Sequence, residues 1–437
     1  MTTTVDPQKT LNAPFILQKS LPGIYGCALG DSITANGKLS DGSNFGYVNN
    51  GYTTFARCLS KGGYNLPLNN ILGFPGNDSG QILANVGQVI ALAPAFCIVH
   101  CGTNDSGHSL SVAQSLSNIQ AIYNALTSRG ISVIAVPILP RAYASGNGAT
   151  VAAKNQQQQI NYGIRQMSRT MRGVYLADPT RNIVDYSQTG NTAGDPLGGA
   201  GQAATAMMYD NVGLHPAIRA AYWMGQEIAN VLNLLFPPQD VDWQSPVDAF
   251  DATNNPGGNL LANGVFAGSG AATSPATGNI ATSWSNLGTG TVALSKSTKV
   301  FDNPDSSVPT QHMVFGASQT IRLYQQLFSP SGVSVGDWVQ GEVVIDLKNP
   351  TNLLNIQLQV NDGTHFGYDI QTGASPFYFP TFADSVVRTM VLRTAPIQLT
   401  SVSAISWFLD FGTDSGGSLT CDVYKAALRR VAGANVG

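Results

Sequence analysis

Gly30-Asp31-Ser32-Ile33-Thr34 ends an apolar run, Ile24-Tyr25-Gly26-Cys27-Ala28-Leu29, and opens a polar turn. The pattern predicts a strand that delivers a serine to the rim of a sheet. A serine hydroxyl is a weak nucleophile at neutral pH. Chemistry at Ser32 therefore needs a base to take its proton and donors to receive the negative charge that develops on the substrate oxygen. Gly-Asp-Ser by itself is also ordinary turn chemistry, so the case for catalysis rests on the segments that can join it.

Three further segments qualify. Gly73-Phe74-Pro75-Gly76-Asn77-Asp78-Ser79 follows a short apolar run, and Gly102-Thr103-Asn104-Asp105 follows Ala95-Phe96-Cys97-Ile98-Val99-His100. Asp210-Asn211-Val212-Gly213-Leu214-His215-Pro216 precedes a long helical pattern. In an open α/β sheet, ligands sit beyond the carboxyl ends of the strands, and three of the four segments fall at such ends.

The elements that must position these residues alternate between short apolar runs and helical periodicity from about 21 to 237, as a parallel sheet flanked by helices requires. Strands are predicted near 24–29, 70–74, 95–100, 131–139 and 174–177. Helices are predicted near 52–59, 81–86, 112–129, 153–171 and 216–235. Pro237-Pro238 then breaks the chain, because two prolines remove donors and fix the backbone. Residues 238–256 read as a linker. From 257 to 437 the pattern is period-two alternation between turns, with Asn361-Asp362-Gly363 as a hairpin signal. A β-sandwich of eight or nine strands is expected there. Residues 1–20 read as an N-terminal arm.

Bulk composition narrows the partners. Of 437 residues only 11% are charged, where roughly 25% is usual. The net charge of -3, with no run of Lys and Arg, argues against nucleic acid. Met1 is followed by neither a basic start nor an apolar core, so no secretory signal is read. No apolar stretch approaches the ~20 residues that cross a bilayer, so no membrane partner is expected. The five cysteines lack framework spacing and read as buried free thiols. Cys97 and Cys101 have no second ligand pair nearby, and neither a metal nor a cofactor is expected.

The four blocks, in this order, resemble those of the SGNH hydrolases, also called the GDSL esterase family. The resemblance spans the first half of the chain. It implies a flavodoxin-like three-layer α/β domain with Ser32 as nucleophile. It further implies Ser32 and Gly76 backbone N–H groups and the Asn104 amide as oxyanion donors, and an Asp/His block that carries the base, His215. His215 can take the Ser32 proton and return it to the leaving alcohol. The family places its aspartate three residues before the histidine, where this chain has Val212. Asp210, five residues before, is the expected third member, with Asp195 and Asp185 as weaker alternatives. His100 is expected to be a satisfied structural residue, and His108 lies on the wrong loop to be the base.

In the second half, Gly258-Asn259-Leu260-Leu261-Ala262-Asn263-Gly264-Val265-Phe266 with Ser283-Trp284-Ser285 loosely resembles the opening of jelly-roll carbohydrate-binding modules. Trp284, Tyr324, Trp338, Tyr368, Phe377 and Tyr378 are candidate faces for sugar stacking. Together the two halves point to a serine esterase that removes O-acetyl groups from a polysaccharide, acting outside a cell or on a virion. If it is a tail spike, the expected assembly is a homotrimer. The competing class is a non-catalytic glycan-binding adhesin or virion receptor-binding component.

Overall fold

The computed structural model describes residues 24–143, 149–199, 207–210, 213–237, 248–300, 307–371, 378–382 and 386–431. The expected N-terminal arm and residues 238–247 of the expected linker lie outside them.

The first half runs β1 (Gly26–Gly30), α1 (Ser32–Ala35), β2 (Lys38–Asp41), β3 (Asn44–Val48), α2 (Tyr52–Cys58), β4 (Ile71–Gly73), α3 (Ser79–Ala84) and α4 (Val86–Leu92). It continues with β5 (Phe96–His100), α5 (Val112–Thr127), β6 (Ser132–Ala135), α6 (Val151–Thr170), β7 (Val174–Leu176), α7 (Thr180–Ile183) and α8 (Ile218–Leu235). Five of the strands form one sheet in the order β4-β1-β5-β6-β7, every pair parallel.

Both faces of this sheet are covered, which is why its strands read as continuous apolar runs. Successive residues point to opposite sides. Ala28, Phe96, Ile98 and Ile134 pack with Tyr52, Ala56, Met224 and Ile228 of α2 and α8. Cys27, Leu29, Cys97 and Val99 pack with Ile82, Val89, Ile119, Ile122 and Ile160 on the other side. All five cysteines are buried free thiols, as expected.

The second half is β-rich: β8 (Gly270–Ala271), β9 (Thr277–Ile280), β10 (Ser285–Thr289), β11 (Ala293–Val300), β12 (Ser307–Phe315), β13 (Thr320–Leu327) and β14 (Trp338–Asn361). β15 (Phe366–Gln371), β16 (Val387–Arg393), β17 (Ile397–Gln398) and β18 (Ile405–Val431) complete it. Two of these strands, β14 and β18, are long, with 24 and 27 residues. The alternation breaks into two runs, 338–347 and 355–360, inside β14, and into two more, 403–411 and 418–424, along β18. Register shifts between Lys348 and Asn355 interrupt the alternation that would have marked them as continuous.

These irregular stretches let β14 and β18 run through two packed layers. One layer continues from β18 into β13 and β10; the other continues into β12, β11 and β9. Between them lies a core that includes Leu294, Met313, Leu323, Ile356, Trp407 and Leu409. The turn at Asn361-Asp362-Gly363 joins antiparallel β14 and β15, as its residues predicted.

One element crosses between the halves. β2 and β3 form an antiparallel hairpin that leaves the first domain and pairs, through β3, with β15 in parallel. Behind it Arg57 donates to Asp369, both fully buried, and Asp369 Oδ2 also accepts the Arg393 N–H at 2.5 Å. Phe55, Cys58, Ile218 and Tyr222 of the first half belong to the same core cluster as the β-rich half. Residues 248–256 are likewise packed. Phe250 N–H donates to Asn259 O at 2.9 Å, and Asp248 pairs with Arg429.

Candidate active site

Ser32 is the first residue of α1, directly after β1. Asp31 caps that helix, its Oδ1 accepting the Ile33 N–H at 3.0 Å, and so holds the sharp strand-to-helix turn. Gly30 has no alternative here, because a Cβ would stand 2.2 Å from both His100 O and Thr34 Oγ1.

His215 reaches this turn from the loop before α8. Its Nε2 lies 2.9 Å from Ser32 Oγ, and its Nδ1 lies 2.6 Å from Asp210 Oδ2. An ionised carboxylate only accepts, so the Nδ1 proton belongs to the bond with Asp210 and Nε2 is left as the acceptor facing the serine. The spacing of five is accommodated by a tight turn. Asp210 Oδ1 accepts the Leu214 N–H at 2.7 Å, Oδ2 accepts the His215 N–H at 3.1 Å, and Gly213 N–H donates to Asp210 O at 3.2 Å. One carboxylate thus folds the loop and orients the ring. Burial pushes the Asp210 carboxyl up, but the bonds from His215 and Leu214 outweigh it and hold it below the usual carboxylate range.

The turn of Gly76 follows β4. Gly76 sits at φ +80°, a conformation that favours glycine, and is exposed. Asn104, after β5, donates one Nδ2 hydrogen to Asn77 O at 3.0 Å, which leaves its second hydrogen for another acceptor. Asp105 ties the two loops together, its Oδ1 accepting the Ser79 N–H at 2.7 Å. Within the described residues no backbone hydrogen bond occupies the N–H of Ser32 or of Gly76.

The remaining candidates are engaged elsewhere. Asp195 pairs with Lys154 and accepts the Tyr143 N–H at 2.7 Å; Asp185 accepts from Ser187 and Gln188. His108 Nδ1 sits 2.7 Å from Asp78 Oδ2. His100 departs from expectation. It is fully buried behind the serine turn with Nδ1 4.0 Å from Asp31 Oδ1, and neither ring nitrogen has a hydrogen-bond partner among the described residues. Burial lowers its pKa, and the Asp31 charge opposes that shift. The last position of this buried strand has the Asp31 carboxylate as a neighbour, but beyond hydrogen-bond reach, which the apolar run alone does not reveal.

Two contributors had no signal in spacing. Tyr209 stacks on His215 with centroids 5.8 Å apart, and Asn36, at the end of α1, donates to its hydroxyl at 3.5 Å. Asn77 fixes Asn104 through a backbone carbonyl, which no side-chain type encodes. Among the described residues there is no group of three or more His, Cys, Asp or Glu placed to hold a metal ion, and no helix long and apolar enough to cross a membrane.

A parallel α/β sheet that carries a Ser-His-Asp row at its carboxyl edge defines a serine hydrolase. The sequence model of the GDSL-like Lipase/Acylhydrolase family matches residues 28–218, so that stretch carries a GDSL-type domain, that of a carboxylic ester hydrolase. Similar solved structures include an acetyl esterase with acetate ion, 18% identical, covering 49% of this chain and 98% of its own, TM-score 0.34. A carbohydrate esterase family 3 protein from Talaromyces cellulolyticus is 18% identical over 50% of this chain and 100% of its own, TM-score 0.34. A GDSL-like lipase from Bacteroides thetaiotaomicron is 17% identical over 48% and 87%, TM-score 0.33. No curated protein matches the chain.

Proposed function

We propose that Ser32 attacks the carbonyl carbon of an O-acetyl ester carried on a polysaccharide. His215 Nε2 takes the hydroxyl proton as the Oγ–C bond forms, then gives it to the departing sugar oxygen as the C–O bond breaks. Water, deprotonated by the same nitrogen, attacks the acetyl-Ser32 ester; acetate leaves and the proton returns to Oγ. Asp210 keeps the ring in the tautomer that accepts from serine. The N–H groups of Ser32 and Gly76 and the free Asn104 amide hydrogen receive the oxyanion in both steps.

The observation that carries this reading is the unbroken row of 2.9 Å and 2.6 Å contacts from Ser32 to Asp210. Exposure supports the choice of a large substrate. Ser32 is half-buried, and Pro75 and Gly76 beside it are exposed. A nucleophile so placed suits an ester borne on a polymer too bulky to enter a closed pocket. A charge-poor, polar surface fits a neutral glycan, and an extracellular or virion-associated setting goes with that substrate. Acetate release from acetylated xylan, mannan and pectin tests the proposal. Release that Ser32→Ala abolishes is expected. Faster turnover of long-chain acyl esters with no release from any glycan would overturn the substrate class. Failure of the wild type to cleave even p-nitrophenyl acetate would favour a glycan-binding role without catalysis.

A further inference from the structure

A cleft of about 360 Å³ opens between the β2–β3 hairpin, the loop before β4 and the first residues of β14. It lies outside the serine row, and both halves of the chain build it. We propose that it binds a neutral saccharide unit, so that it holds the polymer whose ester Ser32 attacks; this use of the cleft rests on the function proposed above.

Three features of its wall carry the inference. First, among the described residues its lining contains no Lys, Arg, Asp or Glu, in contrast to what an anionic or cationic ligand demands of a partly buried site. Second, the lining offers rings at half-exposed positions. Trp338, Phe45 and His365 all face it, with Phe45 and His365 edge to face at 6.3 Å. Sugar C–H faces stack on such rings while their hydroxyls stay free for hydrogen bonds.

Third, the polar groups are already oriented. Gln340 Nε2 donates to Thr394 O at 2.7 Å and Gln398 Nε2 to Gly336 O at 3.0 Å, which turns their amide oxygens into fixed acceptors. His365 Nδ1 lies 2.9 Å from Gln398 O, so in the neutral ring its Nε2 is an acceptor as well. Asn69 is exposed on the opposite wall and supplies donors. A charge-free wall with rings and several acceptors matches a group that presents many hydroxyl donors, as a sugar does.

The cleft is also held rigid and close to the site. Tyr47 beneath it donates to Leu66 O at 3.0 Å, and the Arg57 guanidinium lies 4.0 Å from the Tyr47 ring centroid. Ser40 in its wall follows Ser32 by eight residues, which span at most roughly 28 Å when fully extended. That is within reach of a few linked sugar units.

Calorimetric titration of the whole protein with xylohexaose, cellohexaose, mannohexaose and the charged hexagalacturonate tests the inference, because binding does not depend on turnover. At least one neutral hexaose is expected to bind. Trp338→Ala and Asn69→Ala are each expected to weaken that binding about tenfold, near 1.4 kcal/mol, at unchanged unfolding temperature. Trp338→Phe should retain most of it and guards against a folding defect at the half-buried tryptophan. Preference for hexagalacturonate, no binding of any neutral hexaose, or binding that both alanine variants leave as it was would overturn the assignment. Neutral hexaoses that bind while no acetylated glycan is cleaved would instead count against the proposed substrate alone.

Discussion

Among the carboxylates of this protein that hold a basic partner, Asp210 and Asp369 are put to opposite uses. Asp210 grips His215 at the rim of the parallel sheet, where the imidazole is 23% exposed and its far nitrogen faces Ser32. Asp369 grips Arg57 where the two halves meet, with side-chain exposures of 0% and 2%. An imidazole can take a proton and give it back, whereas an arginine does not release one. The same attraction therefore serves chemistry at the edge and cohesion in the interior. Burial and the choice of base decide which.

Substitutions at the rim should change rate far more than stability. Ser32→Ala removes the proposed nucleophile and is expected to lower kcat on p-nitrophenyl acetate by about 10⁶-fold, with an unfolding temperature close to wild type. Asp210→Asn should cost about 10⁴-fold, because the amide no longer fixes the Nδ1 proton. Steady-state kinetics with active-site titration by a serine-reactive phosphonate measures both. A loss in Asp210→Asn smaller than tenfold would mean that the turn alone orients the ring.

Substitution in the interior should do the reverse. Asp369→Ala leaves the Arg57 charge buried without its partner and should cost about 3–5 kcal/mol in denaturant unfolding. Turnover per folded molecule should be retained. If this variant lost activity at full stability, the division between edge and interior would fail.

Two smaller effects refine the comparison. Asn104→Ala is expected to reduce kcat by about 100-fold to 1,000-fold, since it removes one of the three proposed oxyanion donors. The acid limb of stability should carry a signature of Asp362, the turn carboxylate between β14 and β15. Burial opposes its ionisation, but backbone N–H donors from His365, Thr400 and Thr364 outweigh it and lower its pKa to about 2. Because its folded value is depressed, its contribution is fully present above the ordinary carboxylate range and fades as pH falls toward 2. Asp362→Asn should therefore lower the unfolding temperature at pH 7 and matter less near pH 2, as differential scanning calorimetry at the two pH values can read.

The site was legible where it depends on local pattern. Ser32 and Asn104 stand at the ends of strands buried on both faces, and such strands announce themselves as uninterrupted apolar runs. Asp210 was legible by type but not by spacing, because its fit depends on how a carboxylate closes a turn over Leu214 and His215. The β2–β3 hairpin went unread, although Asp41-Gly42 is a hairpin signal and Gly42 does sit at φ +53°. Nothing local in Lys38–Val48 tells that its partner is β15. Strands β14 and β18 were read in pieces because alternation fails wherever a bulge restores the register by skipping a residue.

The parallel pairing of β3 with β15 also sets an order of events. Arg57 and Asp369 are 312 positions apart, so the hairpin leaves the ribosome long before the strand that completes it. Until then β3 presents an open edge of unpaired amides and carbonyls, and the Arg57 charge has no counterion. A ribosome stalled after residue 237 would thus carry a first half whose sheet edge and guanidinium are both unsatisfied. Chaperone capture during synthesis should be concentrated in that interval and end when β15 emerges.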